Sequence, residues 1–295
     1  RQCVIAACTT SIGLFAATAA YAQAYPTKPI KFVVPFGAGT ATDNVGRILA
    51  QAMGDALGQT ITIENKAGAN GIPGAEIVKN ASGDPYTLLV TTSTTQAANV
   101  SLYKKLPYDP VKDFTPIGKI GETGFILMVK PEFPAKDMKE FLAHAKTNKL
   151  SYGHGSSGSL VSGALVAQLG GFEALSVPYK SIPPALTDLM GGQLQYAFAD
   201  VGNAVTQMNG GRLKGLGVTT VKRAGKAPNV PPIGDTIKGY EVSAWFALMA
   251  PANIPADAAK KLADTLQAVL AKPEVKEKLN NAGIDMDVQN PAQLA

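Results

Sequence analysis

The chain has 295 residues, 46% of them hydrophobic and 17% charged, with a formal charge of +5. That is enough apolar material for one large domain or two medium ones, and too much for a disordered chain. No run of Lys or Arg is longer than a pair, so the basic excess does not read as a nucleic-acid surface, although it suits an anionic small ligand.

The first segment, VIAACTTSIGLFAATAAYAQA, carries no charge and ends in two A-x-A matches, Ala20-Tyr21-Ala22 and Ala22-Gln23-Ala24. A short apolar run rich in small residues, with Arg1 ahead of it, predicts a secretory signal peptide over residues 1–24, cleaved after Ala22 or Ala24, and not a membrane span. The lack of an initiator Met predicts that the start is clipped. Both cysteines, Cys3 and Cys8, fall in this leader, so the mature chain is expected to hold no disulfide, thiolate metal site or Cys nucleophile.

Strands and helices then alternate. IKFVVPF is continuously apolar, as in a parallel strand covered on both faces. The next segment places Val45, Ile48, Leu49, Ala52, Met53, Ala56 and Leu57 on one helical stripe, closed by Gly58 as a left-handed cap. TITIE (60–64), a helix in GIPGAEIVKNA and a strand over 86–92 complete a β-α-β-α-β run, which predicts a doubly wound sheet with ligands at the carboxyl ends of its strands. From Phe114 two strands stand close together, FTPIGKIG and FILMVK, and read as a crossover. A helix over 137–147 follows, with Met138, Phe141, Leu142 and Ala145 inward. A second strand–loop–helix unit then spans Leu150–Gly153, Gly155–Gly158 and Ser159–Leu169. Further alternation leads to a long apolar strand in YEVSAWFALMAP and two closing helices, 256–270 and 273–282. Two glycine/serine loops, each inside its own α/β run, predict two lobes: 25–124 with 245–295, and 125–244, joined by crossovers near 121–129 and 240–248.

The loop chemistry admits several readings. Gly37-Ala-Gly39-Thr-Ala-Thr42 matches two glycines of a dinucleotide fingerprint, with Glu64 at the ribose position, but Thr42 stands where the third glycine belongs and Pro35 breaks the strand. No G-K-[ST] follows, which excludes a P-loop. His154 beside Ser156 and Ser157 lacks a G-x-S-x-G context and adjacent loop residues seldom aim at each other, so a Ser–His pair is not supported. His144 reads as a surface residue, and no metal-ligand spacing exists. What remains is anion binding by backbone. Unpaired N–H groups and partial positive charge at a helix start hold a carboxylate without Lys or Arg, and Gly37–Thr42 and Ser156–Ser159 both offer them. Thr91–Thr95 would supply hydroxyls beside the first loop, and Asp43 reads as an acid serving its own helix.

YPTKPIKFVVPFGAGTATD, IENKAGANG, DPYTLLVTTSTT, SLYKKLPYDPVKDFTPIG, VPYKSIPPALTDLMGGQLQYAFAD and GYEVSAWFALMAP together resemble the extracytoplasmic solute receptors of the tripartite tricarboxylate transporters, the Bug receptors. The resemblance implies a type II periplasmic-binding-protein fold, α/β and two-lobed, each lobe a mixed, mostly parallel sheet flanked by helices. It implies a periplasmic Venus-flytrap protein without enzymatic activity or cofactor, a monomer that delivers a small organic carboxylate to a membrane permease. An exported NAD-binding or hydrolytic enzyme, and a sensor feeding a signalling partner, stand as the alternatives. The family's P-F-x-x-G-G-x-x-D loop falls on Pro35, Phe36, Gly39, Thr40 and Asp43, with Thr40 replacing the second glycine. Its acid before a helix falls on Asp200, and its aromatic pair on Trp245-Phe246. Expected ligand contacts are Phe36, Gly37, Ala38, Gly39 and Thr40 in the first loop, Thr92 and Ser93 after the third strand, Ser156, Ser157, Gly158 and Ser159 in the second, and Tyr179, Asp200 and Phe246 around the cleft. Leu160 and Val161, where the family commonly has Thr-His, hint at an aromatic or aliphatic acid. The family usually continues past NPAQLA into one more helix.

Overall fold

The structure, a computed structural model, describes residues 25–294; the signal-peptide expectation lies outside them. In chain order the elements are β1 (Ile30–Val34), α1 (Ala41–Leu57), β2 (Ile61–Asn65), α2 (Ile72–Lys79), β3 (Thr87–Thr92), a π-helical turn (Thr94–Ala98) running into α3 (Asn99–Leu102), β4 (Phe114–Thr123), β5 (Phe125–Val129), α4 (Met138–Ala145), β6 (Leu150–His154), α5 (Ser157–Gly170) and β7 (Ala174–Pro178). They continue with α6 (Ile182–Met190), β8 (Tyr196–Asp200), α7 (Val201–Asn209), β9 (Lys214–Val218), β10 (Ala244–Pro251), α8 (Ala256–Ala271), α9 (Pro273–Asn281), β11 (Asp285–Gln289) and α10 (Pro291–Leu294).

Two sheets form. The six-stranded one has the order β11-β4-β10-β3-β1-β2, and the five-stranded one β7-β6-β8-β5-β9. In the first, β10 and β11 run against the other strands; in the second only β5 does. Each sheet is therefore mixed, with most strands pointing one way. The chain passes between the sheets at Gly124, the one residue separating β4 from β5, and returns ahead of β10.

Both faces of each sheet are covered, which is why the strands read as unbroken apolar runs. In β1, Ile30, Phe32 and Val34 pack with Val45, Leu49 and Met53 of α1, while Val33 turns the other way toward Ala75 and Val78 of α2. In β5, Leu127 and Val129 join Phe141 and Tyr196 on one face, and Ile126 and Met128 join Leu186 and Leu189 of α6 on the other. The period-2 alternation of a strand sorts each run between two cores.

Local differences from the sequence reading have specific causes. The buried line of α1 is Val45-Leu49-Met53, flanked by Gly46 and Ala50, and Ala56 is exposed. Gly46 packs close against the sheet, where an added Cβ would come within 3.1 Å of Val34 Cγ2, so the inward face includes this small residue. Helix α5 begins at Ser157, two residues earlier than expected, because Ser156 and Ser159 form a reciprocal capping box. Ser157 and Gly158 are thus helical, not loop. Strands β7 and β11 went unread: both are sheet edges held by pairing, and β7 leaves Leu175 exposed.

Candidate functional site

Four helices start at one cavity of about 50 Å³ between the two sheets: α1 through Ala41 and Thr42, α5 through its cap Ser156, α6 through Ile182 and α7 through its cap Asp200. Each start carries roughly half a positive charge. None of the residues lining the cavity is Lys, Arg or His. Its charge complement is therefore main-chain.

The amides expected across Gly37–Thr42 are not all free. Gly39 N donates to Asp43 Oδ2 at 2.9 Å, Thr40 N to Gly37 O at 3.4 Å, and Asp43 N to Thr40 Oγ1 at 3.3 Å. The amides of Ala41 and Thr42, at the first two helical positions, have no intrahelical acceptor and no other hydrogen bond among the described residues. The anion seat is displaced one to two residues past the glycine loop. Asp43 is what makes it so. Buried among donors, its carboxylate accepts from Gly39 N, from Arg47 Nε at 2.9 Å and from Asn65 Nδ2 at 2.9 Å. Burial raises its pKa, but the bonds from Arg47, Gly39 and Asn65 outweigh that and hold it below the ordinary carboxylate range. Asn65 also donates to Phe36 O, so the end of β2 braces the loop. Glu64, the ribose candidate, instead pairs with Lys31 and Lys66.

On the other side, Ser159 Oγ accepts from Gly155 N and Ser156 N, and Ser156 Oγ accepts from Ser159 N. These hydroxyls line the cavity, yet they are largely occupied in capping α5. Asp200 caps α7, accepting from the backbone and side-chain nitrogens of Asn203. Burial pushes its pKa up against the opposing Asn203 bonds.

Of the expected contacts, Phe36, Thr40, Thr92, Ser156, Ser159, Asp200 and Phe246 line the cavity. The others do not. Gly37 abuts Ser181, where an added Cβ would fall 2.9 Å from Ser181 Oγ. Ala38 and Gly39 face outward, and Gly39 O accepts from Asn203 Nδ2 at 3.1 Å. Ser157 Oγ donates to Thr94 Oγ1 at 2.7 Å. Gly158 lies under the Phe125 ring, and Ser93 precedes the π-turn without a side-chain capping bond. Tyr179 turns away to donate to Asp188 at 2.6 Å; burial and that bond push its pKa up to about 12. Leu160 packs into the core behind the sheet and Val161 is exposed, so neither shapes the cavity. Three of these corrections share a meaning: Gly37–Ser181, Gly39–Asn203 and Ser157–Thr94 are contacts from one sheet's layer to the other's.

Thr42 and Thr94, which the sequence reading set within its two hydroxyl- and amide-bearing stretches without naming them as contacts, also line the cavity, and the Thr42 hydroxyl makes no hydrogen bond among the described residues. The sequence reading missed Phe125, Ile182 and Phe198 in the walls. Strand alternation could have found Phe198, two residues before Asp200 in YAFAD and hence on the same face.

Gly155 also lines the cavity, and an added Cβ there would overlap the Ser181 carbonyl carbon and the Ile182 nitrogen. This close backbone approach brings the starts of α5 and α6 together. Gly155→Ala is expected to destabilise the protein by about 1–3 kcal/mol, read as a lower denaturant midpoint.

Comparison with known proteins identifies the family. Residues 45–295 match the family described as "Tripartite tricarboxylate transporter family receptor". The structure resembles the periplasmic binding protein BugD, with a TM-score of 0.86 and 34% identity over 92% of each chain. It resembles Rpa4515 of R. palustris with adipate, at 0.88 and 29% over 92% of each. It also resembles MatC of Rhodopseudomonas palustris with bound malate, at 0.81 and 33% over 88% of this chain and 90% of that one. The matched family is one of receptors and not of enzymes, which removes the dinucleotide and hydrolytic alternatives. The chain belongs to the tripartite tricarboxylate transporter family of solute receptors.

Proposed function

We propose that this protein captures a small organic carboxylate in the periplasm and delivers it, as a monomer, to the membrane permease of a tripartite transporter. The observation that carries the reading is the pair of unpartnered amides at Ala41 and Thr42, aimed with four helix starts at a cavity that no cationic side chain lines. A carboxylate oxygen pair accepts from two adjacent N–H groups of this kind, and the Thr42 hydroxyl adds a third donor. Adipate and malate, named with the two neighbours, are both carboxylates.

The lobes follow the two sheets, residues 25–124 with those from 245 onward, and 125–244. Only the closed arrangement touches a ligand from both sides, so binding shifts the population toward closure. The single tryptophan of the chain, Trp245, lies near the start of β10, where the chain returns to the first sheet, and is placed to respond to closure and not to touch the ligand. Titration of the purified protein with a panel of carboxylates is expected to change Trp245 emission saturably and to raise the melting temperature, with no product formed. Silence of both signals across the panel, or turnover of any member, would remove the proposal.

A further inference from the structure

We infer that Ser157 is a positioning residue for carboxylate capture. It stands outside the cavity, and its hydroxyl bonds the second lobe to the first at Thr94, leaving the Thr94 proton for an acid in the cavity. This rests on the receptor reading above and concerns how the same cavity closes on its ligand.

Ser157 is the first residue of α5, directly after the cap Ser156. The neighbouring hydroxyls of Ser156 and Ser159 serve the capping box of their own helix. The Ser157 hydroxyl has no such duty. Its one hydrogen bond among the described residues runs to Thr94 Oγ1, 2.7 Å away and 63 residues earlier in the chain. Both residues are buried, and Ser157 does not line the cavity. The bond therefore joins the π-helical turn that follows β3 to the start of α5, one lobe to the other. When the lobes part, water serves both hydroxyls. When they meet, each is the other's partner, and a buried hydroxyl left alone is costly. Loss of either one thus penalises the closed form and spares the open one. Asn203 also crosses to the first lobe, at Gly39 O, but that bond is exposed and water replaces it.

The direction of the bond matters. Ser157 donates, so Thr94 Oγ1 accepts and keeps a proton of its own, which finds no acceptor among the described residues. Thr94 lines the cavity together with Thr92, Ala41 and Thr42. Its backbone is held by Thr94 N, which donates to Thr92 Oγ1 at 3.1 Å. A hydroxyl that accepts one hydrogen bond is a stronger donor in the next. Closure at Ser157 and supply of a donor at Thr94 are then a single event, and a carboxylate oxygen in the cavity is the acceptor that completes the chain.

The test is a double-mutant cycle on the purified protein, read by calorimetry and stopped-flow release with adipate, malate, hexanoate and benzoate, keeping the acid that binds most tightly. Ser157→Ala and Thr94→Val are each expected to weaken binding by about five- to fiftyfold, chiefly through faster release, because the closed form alone is penalised. Thr94→Ser keeps the hydroxyl and is expected to stay within about twofold of the native affinity. The double variant buries neither hydroxyl alone, so it serves where a single change fails to fold, and it is expected to bind no more weakly than either single variant. A purely structural role for Ser157 would lower the melting temperature without this coupling. Native affinity and release rate in folded Ser157→Ala or in the double variant, or losses in the double variant that multiply those of the singles, would overturn the inference and leave the receptor reading standing. Absence of binding by all four acids to the native sequence would overturn the receptor reading and this inference together.

Discussion

Replacing Ala41 with proline is expected to weaken carboxylate binding by about ten- to a hundredfold while the protein stays folded. Position 41 is the first of α1, where proline is well tolerated because its missing N–H has no partner inside the helix. The preceding residue, Thr40, has φ −75° and ψ 162°, the extended conformation that proline demands of its neighbour. The fold therefore loses little. The seat loses one of its two amides, and the ring carbon that replaces the N–H points where an anion oxygen would sit. A hydrogen bond to a charged group contributes about 1.5–3 kcal/mol, and 1.4 kcal/mol is tenfold in affinity. Calorimetric titration beside a thermal melt separates the two effects. An unchanged affinity in a folded variant would show that the anion binds elsewhere.

The largest expected loss of stability follows Asp43→Ala. The carboxylate is buried and accepts from three donors on three different segments, the loop at Gly39, the helix at Arg47 and the strand end at Asn65. Its removal leaves the Asn65 amide and the Gly39 N–H without that acceptor, at about 2–3 kcal/mol. The Arg47 side chain is half exposed, so its ion pair adds little to that figure. Asp43→Asn keeps one acceptor oxygen and should lose roughly half as much. The pH dependence has a definite sign. The folded-state pKa is depressed below the ordinary 3.8, so the stabilisation is fully present above that value and fades as pH falls through the lower folded value. Urea unfolding at pH 7 and near pH 3 checks this: the gap between the native sequence and Asp43→Ala should shrink at the lower pH. A gap that widened would mean that the carboxylate is not held in its charged form.

Much of the fold was legible because the signals were local and redundant. The runs IKFVV and FILMV are strands by composition alone, and Gly58 ended α1 in the left-handed conformation with φ 65°. The edge strands β7 and β11 were not legible, since their order comes from β6 and β4 and not from their own residues. The site divides in the same way. Phe36, Thr40 and Asp200 were found because a motif fixes their place relative to a helix start. Gly39 was assigned to the ligand, yet its amide is taken by Asp43 four residues on; which N–H is free depends on side-chain geometry that a loop motif does not state. Phe125 and Phe198 meet only once two strands have paired, and no spacing within the chain announces that.

Anchoring through the main chain at Ala41 and Thr42 has an evolutionary corollary. Side chains around these positions can drift without erasing the charge recognition, because every amino acid except proline brings the same N–H. The walls can meanwhile be rebuilt by changes at Phe125 or Phe198 alone. Descendants of one such scaffold can thus exchange one metabolite for another in few mutational steps, keeping the grip on the acid while retuning everything beyond it.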